Sequence, residues 1–107
     1  MPIVIFRSRL REGCDMAALE ALGARMYELA VAMPGFVAYK DFAAADGENV
    51  ALVEFSDEAS LLAWRNHPEH VVGQRRGREE FMGWYQIEVC ERQRRYSFSL
   101  DAGRTVG

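Results

Sequence analysis

Apolar and polar positions alternate from the start of the chain. In Pro2–Leu10, Val4, Phe6, Ser8 and Leu10 fall on one face and Ile3, Ile5, Arg7 and Arg9 on the other, the period of a strand. The period then changes. Leu19, Leu22, Met26, Leu29 and Met33 form one helical stripe, so Met16–Met33 reads as an amphipathic helix, capped by Asp15 and stopped by Pro34-Gly35. Two further strand patterns, Phe36–Ala44 and Asn49–Phe55, flank Asp46-Gly47 as a hairpin. Ser56-Asp57 supplies the cap of a short helix from Glu58 to about Arg65. After an Asn66-His67-Pro68 break, a second helix is expected from Pro68 to about Met82, weakened by Gly73 and Gly77 and ended by Gly83. Trp84–Phe98 reads as a long last strand, and residues 99–107 as a loose tail.

This order, β-α-β-β-α-β with the second helical segment split in two, predicts an α+β, ferredoxin-like domain over residues 1–98. Its four-stranded antiparallel sheet would carry helices on one face. The strands are apolar on both faces, however: Ile3 and Ile5 against Val4 and Phe6, Val50 and Leu52 against Val53 and Phe55. Helices cover only one such face. A homodimer with its two sheets packed face to face is therefore expected.

Composition narrows the partners. A chain of 107 residues fits one domain, and a net charge of −3 offers no attraction for nucleic acid or an anionic membrane. No apolar run approaches the ~20 residues of a membrane span. Ile3–Phe6 is too short for a secretory leader, so a cytoplasmic protein is expected. Cys14 and Cys90 fit no metal or redox spacing, and neither a metal nor a nucleotide fingerprint is present.

Candidate chemistry gathers in Trp64–Tyr85, which holds both histidines and both tryptophans. His67 and His70 are the only imidazoles, and so the candidate general bases near neutral pH. The alternative is a structural role for either. Asn66 could donate its amide to an oxyanion or cap a helix. Trp64 could form a flat wall for an aromatic substrate and lend it an indole N–H, or be a core residue. Arg78 has no acidic neighbour one turn away and falls in line with Val71, near Phe81 and Met82, which suits a substrate anion beneath the helix. An ion pair with Glu54 or Glu88 is the other reading. Tyr27, Tyr39 and Tyr85 could bond a phenolic substrate, with Phe81 beside them, or simply pack.

Met33-Pro34-Gly35-Phe36, Glu54-Phe55-Ser56-Asp57 leading into Trp64, and Asn66-His67-Pro68-Glu69-His70 together resemble the antibiotic biosynthesis monooxygenase domain family. The resemblance covers roughly residues 2–96. It implies a dimeric α+β barrel and a Trp64 that lines a pocket. It also implies a cofactor-independent monooxygenase that oxidises a small aromatic, phenolic or quinol-like compound with O2. A non-catalytic, small-molecule-binding or stress-related dimeric module is the alternative. Haem-degrading members carry an Asn on the first strand and a His in the later helix; this chain has Ser8 and Gln74 there, which counts against haem.

Overall fold

The computed structural model describes residues 1–100. Strand β1 (Pro2–Leu10) leads into helix α1 (Met16–Val31), then β2 (Phe36–Ala43) and β3 (Asn49–Phe55). Helices α2 (Glu58–Arg65) and α3 (Pro68–Arg76) follow, α3 runs on into a π-turn (Gly77–Phe81), and β4 (Met82–Glu91) closes the order. The strands form one antiparallel sheet in the order β2-β3-β1-β4. The α+β, ferredoxin-like expectation holds. The tail expected over 99–107 lies largely outside the described residues.

The caps act as the sequence suggests. Asp15 accepts from the Ala18 amide at 3.1 Å, and Asp57 from the Ser60 amide at 2.7 Å. Three hydrogen bonds from Ser60 and Ser56 pull Asp57 below the usual carboxylate range. Gly35 abuts this second cap so closely that a Cβ there would sit 2.5 Å from Ser60 Oγ and 2.7 Å from Asp57 Oδ2. Only glycine permits that approach of the α1–β2 turn to α2.

The core lies between the helices and one sheet face. Val4, Val53 and Phe55 meet Leu29, Ala30, Leu61 and Trp64 there. The opposite face, read from the strand register, carries Ile3, Ile5, Leu52, Phe42 and Trp84. Charged residues share it: Arg7 holds Glu48 through two bonds of 2.8 and 3.1 Å while stacking over Trp84 at 5.7 Å. No helix among the described residues is long and apolar enough to cross a membrane.

Two expectations are corrected at the end of α3. Gly83 does not end the helix; β4 begins earlier, at Met82, because β1 captures the chain there. Leu10 pairs with Met82, and the Arg11 amide donates to the Phe81 carbonyl at 2.7 Å. The last strand also stops at Glu91, where pairing with Pro2 runs out, so residues 92–98 belong to no strand.

Candidate functional site

The sheet and the helices enclose a cavity of about 360 Å³. Val4, Phe6 and Val53 form its floor, while Leu19, Leu22 and Met26 of α1 form its roof. At one end stand Trp64, His70 and Gln74; at the other, Phe81, Tyr85 and the edge residues Ile87 and Val89. Tyr39 completes the wall. The lining is mainly apolar and aromatic, with few hydrogen-bonding groups, the usual make-up of a small-molecule site. A second, shallower groove runs outside, between α1 and α3. The Arg25–Glu69 ion pair, with bonds of 2.6 Å, spans its rim, so its charges already satisfy one another.

Trp64 is 7% exposed and holds the inner end together. Its ring packs on Phe55, Tyr39 and His70, the last with centroids 4.3 Å apart. The indole N–H donates to the Met26 carbonyl at 3.1 Å, tying α2 to α1. The expectation that this N–H would serve a substrate is therefore corrected, because a buried donor already spent on a carbonyl has no second bond to give. Trp64 contributes a surface, not a hydrogen bond.

The two histidines, three positions apart, have different surroundings. His67 is the N-cap of α3: its Nδ1 accepts from the Glu69 amide at 3.1 Å. It is not among the cavity-lining residues, and the sharp turn into Pro68 is the reason. His70, one turn on, faces inward. Its Nδ1 lies 3.0 Å from Gln74 Nε2, and the ring also bonds the Arg65 backbone. Burial pushes His70 down to about 4, the Arg65 backbone bond opposing and the Arg65 charge assisting. The ring is neutral at pH 7. With a carbonyl on one nitrogen, the other is the acceptor of the Gln74 amide.

The remaining candidates separate in the same way. Asn66 is the C-cap of α2, its amide donating to the Leu62 carbonyl at 2.9 Å and its side chain exposed outside the cavity lining. Tyr27 lies on the outer side of α1, exposed, with its ring edge-on to Tyr39 at 5.4 Å. Tyr39 lies in the wall, and burial, followed by the nearby Asp41 charge, raises its phenol above the ordinary value. Phe81 is 1% exposed and closes the outer end.

Arg78 is displaced from its expected place beneath the helix. The inward face of α3 is His70, Gly73, Gln74 and Gly77, not Val71 and Val72, which are exposed. Gly73 permits this: a Cβ there would lie 3.0 Å from Met26 Sδ, so α3 sits close on α1. The π-turn then puts Arg78 outside, where its Nη1 donates to the Tyr85 hydroxyl at 3.3 Å. Glu54, once a candidate partner, instead faces Arg92 at 2.6 Å. Arg11 fixes the π-turn, donating to the carbonyls of Glu79 and Arg78 at 2.7 Å each. Those are the carbonyls a helix end leaves unpaired. Gln74 and Arg11 carry roles that no sequence spacing announces.

The antibiotic biosynthesis monooxygenase model matches residues 1–76. The chain belongs to that family. Solved structures of similar fold include Rv0793 from Mycobacterium tuberculosis, 24% identical, with a TM-score of 0.76 over 91% of this chain and 100% of that one. SnoaB, a cofactor-independent oxygenase from Streptomyces nogalater, is 16% identical, with a TM-score of 0.74 over 88% of this chain and 94% of its own. PA3566 from Pseudomonas aeruginosa is 18% identical, with a TM-score of 0.70 over 87% of this chain and 94% of its own. No curated protein matches the chain. At these identities the likeness is one of fold and names no substrate.

Proposed function

We propose that this family member is a homodimeric, cofactor-independent monooxygenase that oxidises a small phenolic or quinol-like compound with O2 inside the cavity. The observation that carries the reading is the cavity itself: about 360 Å³, walled by Trp64, Tyr39, Phe6, Phe81 and Tyr85. Family membership supports it, as does the resemblance in fold to an oxygenase of that kind.

In such a reaction the substrate supplies the electrons. Loss of a phenolic or enolic proton leaves an electron-rich anion, which reduces O2 and forms a carbon–oxygen bond. Loss of a second proton from that carbon then cleaves the O–O bond, giving a carbonyl, and the departing oxygen leaves as water. The protein's part is to exclude bulk water, orient the ring and stabilise the oxyanion. Trp64 and Phe6 provide flat apolar surface. Tyr85 is suited to the oxyanion: the Arg78 guanidinium bonds its oxygen, leaving the phenolic hydrogen to donate into the cavity. His70 supplies a neutral imidazole in the wall, but with a value of about 4 it is a weak base. A sufficiently acidic substrate is therefore favoured, one that reaches the site already ionised or nearly so.

The weak basicity of His70, with both ring nitrogens engaged, is also what favours the second reading, a binding module without turnover. Oxygen uptake by chelator-treated protein given anthrone or a hydroquinone separates the two. Stoichiometric O2 consumption with quinone formation is expected. Binding that quenches Trp64 fluorescence without O2 consumption would favour the module.

The homodimer rests on the open sheet face, where Leu52, Phe42 and Trp84 are exposed beside Ile3 and Ile5. Packing that face against a second copy removes it from water.

A further inference from the structure

The polar groups at the inner end of the cavity have a direction that the fold sets. The bond between the His70 ring and the Arg65 backbone favours the protonated ring, so the backbone group is the carbonyl and a ring nitrogen donates to it. A neutral imidazole carries one hydrogen, which leaves Nδ1 as an acceptor. Gln74 Nε2 lies 3.0 Å from Nδ1 and must be the donor. The Gln74 amide is thereby held with its NH2 toward the ring and its carbonyl oxygen, Oε1, turned from it.

Oε1 has no partner among the described residues. Tyr39 and Arg65 also line the cavity, and neither bonds it; the Trp64 N–H is committed to Met26. Nor is the oxygen sealed away, since among the described residues the only enclosed side-chain oxygen without an aligned donor is on Glu54. Gln74 lines the cavity and not the groove outside it, so the cavity is where a ligand reaches Oε1. The inner end offers a lone pair, where Tyr85 at the outer end offers a hydrogen.

An unanchored glutamine reads ligands loosely, because a half-turn of its amide exchanges donor for acceptor. Here that half-turn would set Oε1 against the Nδ1 lone pair and lose the bond to His70. A fixed acceptor of this kind discriminates by hydrogens and not by shape. A hydroquinone and its quinone are nearly the same size and equally flat. Removing two electrons and two protons converts each O–H into a carbonyl. The reduced form can donate to Oε1, while the oxidised form meets it lone pair to lone pair. A site built around such a bond rejects a close analogue far better than an apolar wall does.

We propose that Gln74 is the specificity residue of the cavity and His70 its positioning residue, the pair selecting the reduced, hydroxyl-bearing form of a small dihydroxyaromatic over its quinone. Oxidation in the cavity removes the hydrogen that Oε1 accepts, so the product is held more weakly than the substrate. The proposal rests on the cavity taking a phenolic or quinol-like compound, as read above, and needs no turnover.

Calorimetric titration of the full chain under argon tests it, with tetramethylhydroquinone and tetramethylquinone as the paired probes. Their methyl groups block addition of the free Cys14 and Cys90 thiols. The hydroquinone should bind about tenfold tighter or more, the factor expected when a ligand leaves one polar group of a site unpaired. Gln74→Met keeps the length of the side chain without its amide, and should bring the ratio of the two dissociation constants to near one. His70→Phe leaves Gln74 in place but removes its anchor, so the ratio should fall toward one there as well; a Gln74 that only packed would not respond. A wild-type ratio near one, or a Gln74→Met variant that keeps the wild-type ratio, overturns the proposal. A His70→Phe variant with the wild-type ratio overturns the positioning role. Binding of neither probe at millimolar concentration overturns both roles. Oxygen uptake keeps the two readings apart: selective binding without O2 consumption removes the monooxygenase and leaves the selection, and O2 consumption with a ratio near one does the reverse.

Discussion

The two ends of the cavity use their polar groups in opposite ways. At the inner end the indole and imidazole nitrogens are spent on the protein: Trp64 on Met26, His70 on Gln74 and the Arg65 backbone. At the outer end, Arg78 and Tyr85 bond each other in an exposed setting, and the tyrosine keeps its own hydrogen to offer. Ile87 and Val89 stand half-exposed beside them. Burial explains the difference. A polar group enclosed by apolar neighbours must be satisfied within the fold, whereas one at a solvated rim can wait for a ligand. The inner end therefore shapes the cavity, and under the proposed chemistry the outer end meets the substrate oxygen.

The largest expected effect tests the structural half of that contrast. Trp64→Ala removes a buried ring and the bond that ties α2 to the Met26 carbonyl, so it should cost about 3–5 kcal/mol by denaturant unfolding. A loss below ~1 kcal/mol would mean the inner end is not a packed support. Tyr85→Phe tests the other half. Under the proposed chemistry it should lower turnover by about 10²-fold with little change in stability, as loss of an oxyanion donor does elsewhere. Arg78→Ala should give a smaller loss in the same direction, about tenfold, because the tyrosine remains. Unfolding of either variant would show the outer end to be structural too.

Acid sharpens the contrast further. His70 titrates at about 4 in the fold and near 6.5 when unfolded, so the unfolded chain binds the extra proton first. Stability from this group is complete above pH 6.5 and is lost as pH falls toward 4, by about 3 kcal/mol. His70→Gln should remove that portion of the acid dependence while the carboxylates keep theirs, measured as unfolding free energy at stepped pH. The smallest effect belongs to His67→Ala. Losing the N-cap should cost about 1 kcal/mol and leave ligand affinity unchanged.

Much of the fold was legible because strong periods coincide with packing. The alternation of Val4 and Phe6 with Ile3 and Ile5, and the stripe from Leu19 to Leu29, each point where the structure puts them. The face of α3 was not legible. It buries His70, Gly73, Gln74 and Gly77, small or polar residues with no apolar signature, because close approach to Met26 and not side-chain bulk makes the contact. Val71 drew the expected stripe to the wrong side, and Arg78 went with it. Trp64, Tyr39, Tyr85, Phe81 and His70 do meet in one cavity. Asn66 and His67 are helix caps, a role their place before Pro68 allowed, and Tyr27 lies outside. That Trp64 would spend its N–H on α1 depends on a tertiary contact that no local pattern encodes.

A crystal structure of the protein soaked with anthrone or a hydroquinone tests the central claim most directly. The ring should lie against Trp64 and Phe6, with one substrate oxygen within hydrogen-bond distance of the Tyr85 hydroxyl. A ligand seated in the outer groove by Arg25 and Glu69, or a cavity left empty at saturating ligand, would contradict the account.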